Sequence, residues 1–188
     1  MEWFAELAMT AISELETTLS GVSGERAAAL VQEIEKAERI FVAGAGRSGL
    51  MARAFCMRLM HLGLKCYVAG EIVTPAFAQG DLLLVASGSG ATESLVVMAQ
   101  KAKQQIHGRL ALVTIDDKSP IARLADVTLV IPAPSPKVKR QLALDSIQPM
   151  GSLFEQSLLL VLDLLMLLFM QQNGISPSAM FDRHANLE

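Results

Sequence analysis

"VAGAGRSGLMARAF", residues 42–55, joins an apolar run to a helical pattern through two close glycines, an arginine and a serine. Glycine lets backbone approach an anion, and the unpaired N–H groups of a first helical turn point at it. The stretch therefore reads as a strand, loop and helix with an anion site at the junction. The same residues also suit a plain tight turn. The rest of the chain decides between the two.

Outward from this stretch, short apolar runs fall at 40–43, 66–69, 82–86, 110–115 and 127–131. Helical patterns separate them, near 50–62, 93–105 and 121–124, the last opened by Ser119 as cap and Pro120 at the first helical position. Two helices are predicted before the first strand, over about 2–19 and 25–37, and a long apolar helix follows the last. Strands that read as continuous apolar runs between helices need a parallel sheet covered on both faces. The expected fold is an α/β three-layer α/β/α sandwich with a five-stranded parallel sheet, flavodoxin- or Rossmann-like. One domain is expected over 1–188: helices to 37, the sheet core over 38–131, a loop over 132–149, the apolar helix over 150–172 and a polar tail over 173–188.

Composition narrows the function classes. A chain of 188 residues holds a core unaided, and its net charge of −3 provides no general field for nucleic acid or an anionic membrane. One short basic cluster, Lys137, Lys139 and Arg140, reads as a solvated face. Cys56 and Cys66 have no histidine or third cysteine at ligand spacing, so neither a zinc site nor a disulfide framework is indicated. The acidic, amphipathic N-terminus lacks the features of a signal peptide, and a cytoplasmic setting is expected. The run Ser157 to Met170 is shorter than a membrane span and carries Asp163 at its middle. It reads as a helix buried on nearly all sides, in the core or against another subunit.

In an open parallel sheet, ligands bind beyond the carboxyl ends of the strands. Two such places carry glycine-serine loops: Gly44-Ala45-Gly46-Arg47-Ser48-Gly49 after the first strand and Ser87-Gly88-Ser89-Gly90-Ala91-Thr92 after the third. The first satisfies the spacing G-x-G-x-x-G. The acid that a dinucleotide site needs at the end of the second strand is poorly matched by Glu71, which lies outside the apolar run. A second loop of this kind is no part of a dinucleotide fold, and the G-K-[ST] of a P-loop does not occur.

The paired serine-bearing loops resemble the sugar isomerase (SIS) domain family, which binds phosphosugars. The blocks GAGRSGLMARAFCMRLMHLG, SGSGAT, QPMGSLFEQ and HANLE are similar to its 6-phospho-3-hexuloisomerase branch. That resemblance implies interconversion of D-arabino-hex-3-ulose 6-phosphate and fructose 6-phosphate in the ribulose monophosphate pathway. It also implies a homotetramer and functional coupling to 3-hexulose-6-phosphate synthase. One departure is visible: Ala91 stands where many SIS domains have glutamate.

Moving a carbonyl from C3 to C2 requires removing the proton beside it, passing through an enediol and returning the proton to the neighbouring carbon. One carboxylate can perform both transfers without a metal or redox cofactor. Glu155, in the first turns of the apolar helix, is the candidate, against the alternative of an acid favoured there by the helix dipole. Hydroxyl protons need a second group, and histidine suits the task. His184, in the tail, is the leading candidate because in SIS isomerases a histidine from a neighbouring subunit enters the site. His61 is a second candidate, though a dipole-stabilising helix end is the plainer reading, as it is for His107. Loop physics and resemblance together assign Ser48, Ser87, Ser89 and Thr92 to the phosphate. Arg47 is either a phosphate clamp or half of an interface salt bridge. Glu71 reads as a solvated loop acid with a weaker claim on a sugar hydroxyl, and Met51, Met57 and Met60 as core filler. Two alternatives remain at this point: a non-catalytic phosphosugar sensor, although such modules usually follow a helix-turn-helix domain, and an isomerase of another phosphosugar.

Overall fold

The computed structural model describes residues 2–138 and 145–187. Five strands, β1 (Ile40–Gly44), β2 (Cys66–Val68), β3 (Leu82–Ala86), β4 (Arg109–Thr114) and β5 (Val127–Val130), form one all-parallel sheet in the order β2-β1-β3-β4-β5. Each matches an apolar run read from the sequence. Six α-helices accompany them: α1 (Glu2–Ser20), α2 (Gly24–Glu35), α3 (Gly46–His61), α4 (Glu93–Gln100), α5 (Ser152–Asn173) and α6 (Pro177–Phe181). A π-helical turn, Lys101–Gln105, extends α4.

Alternation along each strand divides the core in two, because successive side chains point to opposite faces. Ile40, Val42, Leu82, Leu84, Ala111 and Val113 meet α2, α3 and α5 on one face, where Leu30, Phe55, Leu59 and Leu158 are fully buried. Phe41, Ala43, Leu83, Val85, Leu110 and Leu112 face α4 on the other, with Leu95 and Ala99. Both sheet faces are covered, as the expected three-layer sandwich requires, but the layers are unequal. At the amino ends of β1 and β3, Arg39 grips the buried Asp81 through Nε at 2.9 Å and Nη2 at 2.6 Å, a bidentate pair that fixes the two central strands together.

One sequence expectation is corrected. Residues 121–124 form turns and no helix: Ser119 Oγ does accept from Ala122 N at 3.3 Å, but the chain must enter β5 at Val127. There is no length for a second turn. Within one chain, helix α5 buries half of its most apolar window, while Leu160, Leu164 and Leu167 point outward. By length and composition it could cross a membrane, but its buried side packs against α3, α1 and α2. The tail, expected as polar, contains a short helix, in which Ser176 caps α6 by accepting from Ala179 N. Of the basic cluster, Lys137 is exposed, and Lys139 and Arg140 lie outside the described residues.

Candidate active site at the sheet's switch point

The strand order reverses between β1 and β3, so the crevice beyond their carboxyl ends is the expected ligand site. Gly44 pairs with Ala86 in the register, and both glycine-serine loops therefore start side by side. In the first, α3 begins within the loop. Gly46 adopts φ +57°, and Gly44 packs directly on Gly49: a Cβ on Gly49 would lie 2.6 Å from the Gly44 carbonyl oxygen. The glycines thus seat the helix on the strand and leave its first turn open. The Ncap residue, Ala45, supplies no side-chain cap, so the first N–H groups of α3 remain available to an anion.

The second loop is braced from within. Ser87 Oγ accepts from Gly90 N at 3.2 Å and Ser89 Oγ from Ala91 N at 3.3 Å. Both hydroxyl protons remain to be donated. Thr92 is the Ncap of α4 but makes no side-chain cap bond. Gly90 sits at φ +56° against Ser119, where no Cβ fits.

Helix α5 forms the third wall. Phe154 covers Gly88, where an added Cβ would lie 3.1 Å from its ring. Glu155, half-buried in the first turn, receives Arg47 Nη1 on Oε2 at 2.9 Å, and the same nitrogen donates to Ser152 Oγ at 2.9 Å. Arg47 and Glu155 are thus in contact, with Ser48 next to Arg47 in the first turn of α3 and Ser87, Ser89 and Thr92 on the neighbouring loop. Arg47 belongs to an ion pair within the chain, with the candidate base as its partner. Ser152 escaped the sequence reading. Its place beside Gly151 in QPMGSLFEQ was the only signal.

The histidines lie elsewhere in the chain. His61 ends α3, about 20 Å along that helix from Arg47 at about 1.5 Å rise per residue. It is buried, with 4% of its surface exposed, and stacks on His184 with ring centroids 5.4 Å apart. His184 stacks in turn on Phe181 at 5.9 Å, while Arg183 Nη1 donates to the His61 carbonyl at 3.3 Å and docks the tail on α3. Burial pushes the His61 imidazole below its ordinary value, and Arg58 and His184 add to the effect. A ring that holds its proton less tightly is a weaker dipole-stabilising cation than an exposed histidine. His107 is exposed at φ 61° after the π-helical turn, a helix-ending position. Glu71 is an exposed loop acid that pairs with Arg53 of α3. Among the Met residues of α3, Met51 packs on the core, whereas Met57 and Met60 are exposed.

A doubly wound parallel sheet with two open helix N-termini at its switch point defines an anion-binding α/β protein. This chain belongs to the SIS domain family, whose model matches residues 33–160. It is 46% identical to the 3-hexulose-6-phosphate isomerase of Bacillus subtilis, covering 100% of this chain and 98% of that one. It is 43% identical to the enzyme of the same name from Mycobacterium gastri, over 93% and 86% of the two chains. Among solved structures it resembles a hypothetical protein from Methanococcus jannaschii for which a molecular function of 3-hexulose-6-phosphate isomerase was inferred, with TM-score 0.80, 32% identity and full coverage of both chains.

Proposed function

We propose that this protein is an isomerase interconverting D-arabino-hex-3-ulose 6-phosphate and fructose 6-phosphate. The observation that carries the reading is the carboxylate of Glu155, held by Arg47 of the first glycine-serine loop beside the switch point. The phosphate binds at those loops, on the open first turn of α3 and the hydroxyls of Ser48, Ser87, Ser89 and Thr92. Glu155 takes the proton from C2 as the C3 carbonyl becomes an enediol, then returns it to C3 as the carbonyl forms at C2. Arg47 aims the carboxylate and, when the phosphosugar enters, stands within reach of its oxygens.

Histidine supplies the remaining proton path. In its own chain the His61–His184 pair lies at the far end of α3 from Glu155, so the reading assigns it to the site of a neighbouring copy in a homotetramer. Outward Leu160, Leu164 and Leu167 on α5, with exposed Trp3, Phe4 and Leu7 on α1, provide apolar surface for such an assembly. One domain spanning the chain, a cytoplasmic setting and functional coupling to the synthase that makes the hexulose phosphate complete the reading. The free thiols Cys56 and Cys66, adjacent through a 2.9 Å bond from Cys66 Sγ to the Cys56 carbonyl, suit a reducing compartment.

The test is turnover. Purified protein with a chelator present converts the hexulose 6-phosphate to fructose 6-phosphate, read by a coupled dehydrogenase. Saturable phosphosugar binding without turnover supports the sensor instead.

A further inference from the structure

Helix α1 is remote in sequence from the site, yet it carries a buried acid on its inward stripe. Glu14, 8% exposed, faces the core side of the helix with Leu15, Thr18 and Leu19. Its carboxylate accepts three hydrogen bonds from the segment that leads into α5: Ile147 N at 2.7 Å, Ser146 Oγ at 2.8 Å and Gln148 Nε2 at 3.0 Å. Burial by itself pushes the carboxyl up. The bonds from Ile147, Gln148 and Ser146 outweigh it and hold Glu14 below its ordinary value, ionised at neutral pH.

The network continues towards the site. Gln148 Oε1 accepts from Gln156 Nε2 at 2.6 Å, and Gln156 is the neighbour of Glu155 on α5. Between this latch of Glu14 on residues 146–148 and the helix lies Met150 at φ +59°, a left-handed conformation uncommon for a side chain of this size. Such backbone persists only where both flanks are fixed. Here one flank is held by Glu14 and the other by Arg47 through Ser152 and Glu155.

Resting on the isomerase reading above, we infer that Glu14 is a positioning residue: through Gln148 and Gln156 it fixes the first turn of α5 and hence the aim of the Glu155 carboxylate. The three bonds to the Glu14 carboxylate come from residues 146–148 and none comes from a phosphate loop. Its loss therefore misplaces the base while leaving the phosphate anchor intact, and a misplacement of about 1 Å can cost on the order of a hundredfold in rate.

The experiment compares Glu14→Gln, Gln148→Leu and the double variant, full length, by steady-state kinetics on the hexulose 6-phosphate and by backbone hydrogen exchange. Expected is a kcat lowered roughly tenfold to a hundredfold with KM within about twofold. The double variant should be no slower than the slower single, since the two residues form one unit. Amides over 146–156 exchange faster, and those of β1 and β3 do not change. A kcat within about twofold of the parent in Glu14→Gln overturns the inference, as do additive losses or loosening that extends through the sheet. Should the parent protein fail to turn over this sugar, the isomerase reading falls and exchange alone judges the latch: faster exchange confined to 146–156 upholds it, unchanged exchange overturns it.

Discussion

Arg47 and Glu155 lie on different helices, α3 and α5, and meet at 2.9 Å with Ser152 Oγ completing the contact. The pair ties the first phosphate loop to the candidate base. Both contacts come from one Arg47 nitrogen, Nη1, held in place by a rigid planar guanidinium, whereas a lysine ammonium on its shorter, flexible stem is less firmly placed to reach both oxygens. Arg47→Lys should therefore lower kcat/KM by about tenfold to a hundredfold, and Arg47→Met by at least as much. Steady-state kinetics of the two variants check this, and full activity in Arg47→Lys would show that only the charge matters.

Gly46 and Gly49 of the first loop differ in kind. Gly46 needs its left-handed backbone but faces open space, so Gly46→Ala should cost about 1–2 kcal/mol of stability. At Gly49 an added Cβ would strike the Gly44 carbonyl and force α3 off β1, so Gly49→Ala should cost more, about 3 kcal/mol. Urea unfolding of both variants ranks them, and the reverse order would contradict this account of the loop.

Ser157 Oγ is the one fully buried side-chain polar atom among the described residues that has no hydrogen-bond partner. Its hydroxyl gains nothing in the folded state to offset lost hydration. Ser157→Ala should leave stability unchanged or raise it by up to about 1 kcal/mol, measured by chemical denaturation. A clear loss of stability would mean that the hydroxyl is paired in solution.

The His61 stack sets a pH dependence. The folded ring holds its proton less tightly than the unfolded one, because of burial first and then of Arg58 and His184. Above the ordinary histidine range both states are neutral and the group contributes nothing. As pH falls below that range the unfolded chain takes up a proton before the folded chain does, and stability is lost until the folded ring also titrates. Thermal unfolding between about pH 7 and pH 5 should show this loss, and His61→Phe should flatten it.

Much of this architecture is legible in the sequence because parallel strands buried on both faces leave uninterrupted apolar runs. Ile40 to Gly44 and Leu82 to Ala86 could hardly be read otherwise. The cap signal at Ser119 and Pro120 misled, since it reports how a turn starts and not how soon Asp126 must reach Leu110 N to seat β5. The sidedness of α5 was hidden because leucine fills both its faces. Glu14 was hidden differently: it looks like one more acid in an acidic helix until the fold sets it against Ser146, Ile147 and Gln148. A carboxylate on an otherwise inward stripe was the available signal. The stacking of His61 on His184 depends on how the tail returns to α3, which no local pattern records.

The most direct test of the whole account is Glu155→Gln, assayed for conversion of D-arabino-hex-3-ulose 6-phosphate and, by calorimetry, for phosphosugar binding. The amide keeps the shape of the side chain but cannot carry the proton. Turnover should fall by about a thousandfold or more while binding stays within a few-fold of the parent, because the phosphate loops are untouched. A variant that retains more than about a tenth of the parent rate would contradict the assignment of Glu155 as the base.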